Sequence, residues 1–159
     1  MVKCHNEVSC FLSNVTRVVN VIGSSNKRQD SLRDKQAAYI ADALEEGLIE
    51  SGRGLNQESV LARAGDTRWG SHLRTFLSLK NLFSPVIKVL EDLEADRTFD
   101  KNRDTTFLLY RLQTFDFIFM LHLMINVMRV TGDLSQALQK NDQDILNALA
   151  PVEITKERL

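Results

Sequence analysis

Only two prolines occur in this chain, Pro85 and Pro151, and the apolar residues recur at three- and four-residue steps over most of its length. These two features constrain the chain to helices packed side against side. Each stretch free of proline can keep its backbone bonds, and one stripe of each helix carries the apolar side chains. Val8, Phe11, Leu12, Val15, Val18, Val19 and Ile22 form the clearest stripe. Many of them are β-branched, which favours strand, but their spacing is helical and not the alternation of a strand. Gly23 stands where a C-terminal glycine cap would fall.

The same reading continues along the chain. Ser24–Lys35 is polar, and Asp30 is the expected cap of a second helix reaching about Leu48, with Ala37, Ile40, Ala41 and Leu44 inward. Ser51-Gly52-Arg53-Gly54 breaks it, and Gly54 to Gly65 reads as irregular, with one helical turn at Gln57–Arg63. Asp66-Thr67 precedes an amphipathic run from Trp69 to Leu93, in which Pro85 predicts a kink, or two helices meeting near Ser84. Glu94 to Arg103 is charged and reads as a connecting loop. From Asp104 to Met128 apolar residues lie around most of the helix, the pattern of a helix buried on several sides, and Gly132-Asp133 is its expected end. Leu134, Ala137 and Leu138 predict a short helix. Asp142 or Asp144 would cap a last one with Ile145, Leu146 and Leu149 apolar, disturbed at Pro151. The chain stops at Lys156-Glu157-Arg158-Leu159 without a cap, which reads as truncation in mid-element. The expected fold class is all-α, an irregular helical bundle with no sheet of three or more strands.

Composition narrows the function classes. The formal net charge is −1, so no global field draws nucleic acid or an acidic membrane, and any nucleic-acid contact must be local. Cys4 and Cys10 read as free thiols of a reducing compartment; neither sits in a Cys-x-x-Cys pattern, and His5 beside Cys4 leaves a zinc site short of ligands. Lys3, His5, Asn6 and Glu7 interrupt the start, so no signal peptide is read there. The stretch Phe115 to Val130, interrupted by Asp116, His122, Asn126 and Arg129, falls short of the roughly 20 apolar residues of a membrane span. No membrane partner is expected.

Catalytic motifs are absent from the sequence: no phosphate-binding glycine loop, no HExxH and no GxSxG. No catalytic residue, metal ligand or cofactor is expected, and the chain alone is read as no enzyme. His72 and His122 are single histidines; Glu45-Glu46 and Glu91-Asp92 sit on polar helix faces; Asn26-Lys27-Arg28 is a small basic cluster that solvation explains. The segment Ala64-Gly65-Asp66-Thr67-Arg68-Trp69-Gly70-Ser71-His72 stands out because it holds the only tryptophan beside an arginine. Trp and Arg together can stack on a base and hold a phosphate. Equally, Asp66 can cap the helix, Trp69 anchor its first turn in the core and Arg68 point to water.

Three strings carry a resemblance. They are Ser51-Gly52-Arg53-Gly54-Leu55-Asn56-Gln57-Glu58, the Ala64–His72 segment, and Asp133-Leu134-Ser135-Gln136-Ala137-Leu138-Gln139-Lys140-Asn141-Asp142-Gln143-Asp144-Ile145. With them the chain resembles the plant zinc finger MYM-type, TTF-type zinc-finger proteins derived from hAT-superfamily transposases, over nearly its whole length. The resemblance implies a parent with a DNA-binding finger, a ribonuclease H-like core split by a helical insertion, and a closing dimerisation region. It implies that residues 1–50 are helices flanking a core that lies outside this chain, 51–65 a loop, and 66–159 the insertion, truncated at its C-terminal end. It further implies a nuclear, DNA-associated, non-catalytic role, with DNA met through the parent protein. Arg68 and Trp69 match the Arg-Trp that opens the insertion in active transposases, where the tryptophan stacks near the transposon end. With His72 they form the candidate nucleic-acid-binding set. The rival expectation is a helical protein-interaction module without nucleic-acid contact, binding a protein partner or itself through an apolar surface.

Overall fold

A computed structural model describes residues 2–50, 59–63, 65, 69–96, 102–139 and 145–158. Seven helices account for most of them: α1 Val2–Gly23, α2 Asn26–Glu45, α3 Trp69–Asn81, α4 Phe83–Ala95, α5 Asn102–Leu112, α6 Phe115–Leu138 and α7 Ile145–Arg158. No strand occurs among the described residues, so the all-α class read from the spacing is the one adopted.

The stripe on α1 is buried as its spacing predicts: Phe11, Val15, Val18, Val19 and Ile22 are all core residues. Its C-terminus is closed differently from the expectation. Gly23 is the last helical residue and lacks a positive φ, which among the described glycines belongs to Gly47 alone. Side chains from the next helix serve the free carbonyls instead. Arg28 Nη1 donates to the Val21 carbonyl at 2.7 Å and Gln29 Nε2 to that of Gly23 at 3.1 Å. The Arg63 guanidinium lies 3.1 Å from where a Cβ on Gly23 would stand, a tight approach by the end of a flexible side chain.

Helix α2 starts earlier than expected, after Ser25, whose extended backbone (φ −144°, ψ 127°) turns the chain into the first helical bonds. Asp30 is not the cap; it is an exposed helical residue 2.9 Å from Arg33. The helix ends at a Schellman motif. Gly47 takes φ +68°, its N–H bonds the Leu44 carbonyl, and the Leu48 N–H bonds that of Ala43. The inward face is also corrected. Ala37 and Ala41 are exposed, Leu44 is 36% exposed and Ile40 half-buried, whereas Leu32, Gln36 and Ala43 are buried. The weak apolar bias of α2 leaves the choice of face to packing. Helix α4 lies on the Leu32–Gln36 side, joined there by a Lys35–Asp92 ion pair at 2.7 Å.

The described part of the α2–α3 connection is not helical, against the turn expected at Gln57–Arg63. Residues 59–63 are pinned from both sides. Ser59 N–H donates to Gln36 Oε1 at 3.2 Å, and Ala62 N–H to Ser78 Oγ at 3.1 Å. Leu61 between them enters the core. These bonds explain why Gln36 is tolerated in the interior: its amide oxygen is occupied.

Pro85 marks a junction between two helices, as its position predicts. Helix α3 ends at Asn81, whose carbonyl is the one Pro85 has no N–H to reach. Leu82 forms the joint, and Pro85 falls in the first turn of α4, where a missing N–H costs nothing. Where one long helix was expected from Asp104, two form. Thr114 breaks the run: its Oγ1 accepts from Phe117 N–H at 3.3 Å and donates to the Arg111 carbonyl at 2.8 Å, capping α6 while closing α5. Gly132-Asp133 does not end α6, and the short helix expected at Leu134–Leu138 is its last turn. Helix α7 runs without interruption through Pro151, where a disturbance was expected. The candidate caps Asp142 and Asp144 lie outside the described residues.

Helix α3 lies along α6, α2 along α4, and α4 along α5, while α1 touches α2, α5 and α6 and ties the group together. The core draws members from every helix from α1 to α6, so segments 1–50 and 66–159 share one interior. At its centre Phe11 stands 5.4 Å from Phe76 and 5.2 Å from Phe117, ring centroid to centroid. Helix α7 rests on α6.

Candidate functional site

Among the described residues no three His, Cys, Asp or Glu side chains converge to hold an ion. Glu45, Glu46, Glu91 and Asp92 are solvated, as their helix faces predict, and His122 is exposed on α6.

The candidate nucleic-acid set lies at the start of α3. Arg68 is outside the described residues. Trp69 is the first residue of α3, and its side chain is likewise outside them. His72 is half-buried, with its ring 6.4 Å from that of Phe76, so it sits at the edge of the core. Ser71 Oγ donates to the Gly65 carbonyl at 2.8 Å and ties the incoming chain to the first helical turn. Gly70 beside it faces open space.

A second surface is better defined. Helix α6 buries Phe117, Leu121, Ile125 and Met128 but leaves Phe115 77% and Phe119 53% exposed, with Ile118 and Leu123 also exposed along the same side. The expectation of burial on several sides holds only for part of α6: Val130, two residues on from Met128 and so on the opposite side, is also buried, whereas the Phe115–Phe119 side of the first turns is left uncovered by the described residues. On α5, Phe107 and Tyr110 are also exposed. The Arg17 and Arg111 guanidinium groups stand over the Phe107 ring at 5.7 and 6.0 Å. Phe115 and Phe119 stack at 6.0 Å. Six large apolar side chains each leave between 39% and 77% of their surface to water. Together they expose on the order of 600 Å². With 24 residues, α6 is long and apolar enough by length and composition to cross a membrane, a property that core helices share.

Between α1 and the α5–α6 junction this surface dips into a cleft of about 500 Å³. Phe11, Phe115 and Phe119 wall it, and Cys10, Asn14 and Arg111 add polar atoms.

No family model, curated protein or solved structure matches this chain.

Within the cleft, Asn14 is the residue that the spacing of α1 gave reason to notice and that was passed over. It falls three residues after Phe11 and four before Val18, on the buried stripe, where a polar residue is out of pattern. It is 4% exposed, and among the described residues its amide makes one hydrogen bond, a weak one of 3.7 Å to Cys10 Sγ. Arg111 Nη2 donates to the same sulfur at 3.3 Å. The Asn14 carbonyl oxygen has no donor among the described residues. A buried polar group left short of partners destabilises, by about 1–3 kcal/mol. Asn14→Leu, close in volume and apolar, is therefore expected to stabilise the fold by about 1 kcal/mol, raising the melting temperature by roughly 2–4 °C. A fall in melting temperature would show that the amide supports the fold.

Proposed function

We propose that this chain is a non-catalytic helical module of a hAT transposase-derived, zinc finger MYM-type-like protein, nuclear and DNA-associated as a whole, and that the module's own work is to bind protein. The three sequence strings support the kinship and, with it, the link to DNA and the nucleus. The observation that carries the interaction role is the exposed, stacked Phe115–Phe119 pair at the start of α6, beside an apolar-walled cleft. The cleft's Phe and Arg content is that of protein-interface centres. The DNA-contact reading rests on Arg68 and Trp69, whose side chains the structure does not describe.

Two titrations test this. Purified chain should bind single-stranded or hairpin DNA no more tightly than nonspecific binding, a Kd of about 10⁻⁴–10⁻⁶ M at physiological salt. Protein complexes formed by the chain should dissociate when Phe115→Ser and Phe119→Ser are combined, with the melting temperature unchanged. Tighter DNA binding, weakened about tenfold by Trp69→Ala and untouched by the double substitution, would replace this reading with a nucleic-acid one.

A further inference from the structure

We propose that the cleft between α1 and the α5–α6 junction is the anchoring pocket beside the Phe115–Phe119 pair, and that it takes a short peptide segment bearing an apolar anchor residue next to a lysine or arginine. The inference rests on the interaction role above and specifies its partner. The volume, about 500 Å³, suits one large side chain and the backbone that carries it. Phe11, Phe115 and Phe119 offer that side chain aromatic walls. Asn14 supplies what an apolar slot alone would lack. A carboxamide presents one donor and one acceptor side by side, which matches the C=O and N–H of peptide backbone. Nothing described in the fold uses that pair fully, and the amide lines the cleft.

Charge selects the flanking residue. Glu7 and Asp116 stand exposed on the rim with no ion-pair partner among the described residues. Among the described residues one cation lines the cleft, Arg111, and it is drawn to Cys10 Sγ and over the Phe107 ring. A ligand entering there meets two carboxylates against one guanidinium that is already engaged. A cationic side chain gains from that arrangement, and a phosphate backbone is repelled.

The test is selection of a random peptide library displayed on phage against the full chain. Enriched peptides are then synthesised and titrated by calorimetry. The expected consensus pairs an apolar residue with Lys or Arg. Asn14→Leu should weaken binding about tenfold, the worth of one well-made buried hydrogen-bond pair. Combining Glu7→Gln with Asp116→Asn should weaken it several-fold and flatten its salt dependence. No enrichment, an acidic consensus, or peptides that bind the folded Asn14→Leu variant as tightly as the parent would overturn the proposal. If protein complexes still respond to the Phe115→Ser, Phe119→Ser pair while no peptide is selected, only this inference fails. If neither responds, the interaction role beneath it fails too.

Discussion

Phe11→Ala is expected to cost about 3–5 kcal/mol of stability, a fall in melting temperature on the order of 10 °C. The reason is position as much as size. Phe11 is 3% exposed, and its ring meets Phe76 of α3 and Phe117 of α6 at 5.4 and 5.2 Å, so one side chain joins three helices. Truncation removes the transfer free energy of the ring, leaves a cavity that three helices cannot close together, and loses two aromatic pairs worth about 0.5–1.5 kcal/mol each. Total stabilities of single domains run to about 5–15 kcal/mol, so the loss is a large fraction of the whole. Urea unfolding followed by circular dichroism measures it. A loss under about 1 kcal/mol would mean that the triple contact does not hold these helices together.

How much of this fold the sequence discloses depends on how strongly each element is patterned. Helix α1 is legible because its stripe recurs at helical steps through every turn and, Asn14 apart, its buried members are apolar. Pro85 is legible because the ring forbids one specific hydrogen bond, and α3 stops at the residue whose carbonyl would have received it. Helix α2 is legible only as a helix. With few apolar residues, its inward face is set by where α4 and the 59–63 segment lie, which local spacing does not encode. The α5–α6 boundary is hidden for the opposite reason. Apolar residues run straight across it, and the signal is a single threonine cap, Thr114, with Asp116 in the following turn. Glycine misled at Gly23 and Gly132 and was overlooked at Gly47, where the positive φ occurs. Residue type alone does not separate a cap from an ordinary helical residue.

The candidate sites divide along the same line. A tryptophan beside an arginine draws the eye in a sequence, whereas an asparagine inside an apolar stripe does not. Yet the second is the sharper physical signal, because burying an amide is costly. The exposed α6 face was misread because an all-round apolar helix is compatible both with deep burial and with one side reserved for a partner. Only the neighbours decide: Phe117, Leu121, Ile125 and Met128 are buried on one side and Val130 on the other, while Phe115 and Phe119 stay exposed.

Leu90→Ala is expected to cost about 2–5 kcal/mol, and it probes whether the two groups of helices fold as one. Leu90 is fully buried on α4, which packs against α2 and α5, while Phe11 serves α1, α3 and α6. If the interior is one cooperative unit, either substitution lowers the midpoint seen by every probe. Far-ultraviolet circular dichroism, which reports all helices, and near-ultraviolet circular dichroism, which reports aromatic packing around Phe11, should then give coincident transitions in both variants. The shared core supports this outcome: α1 touches α2 and α5 as well as α6, and Leu61 enters the interior while its flanking backbone bonds both Gln36 of α2 and Ser78 of α3. Each loss alone leaves a folded majority if the parent lies in the middle of the usual range. Together they remove about 5–10 kcal/mol, so the double variant should be largely unfolded at 25 °C. A biphasic melt of Leu90→Ala, with the aromatic signal surviving the first phase, would show instead that α2, α4 and α5 unfold separately from the helices held by Phe11.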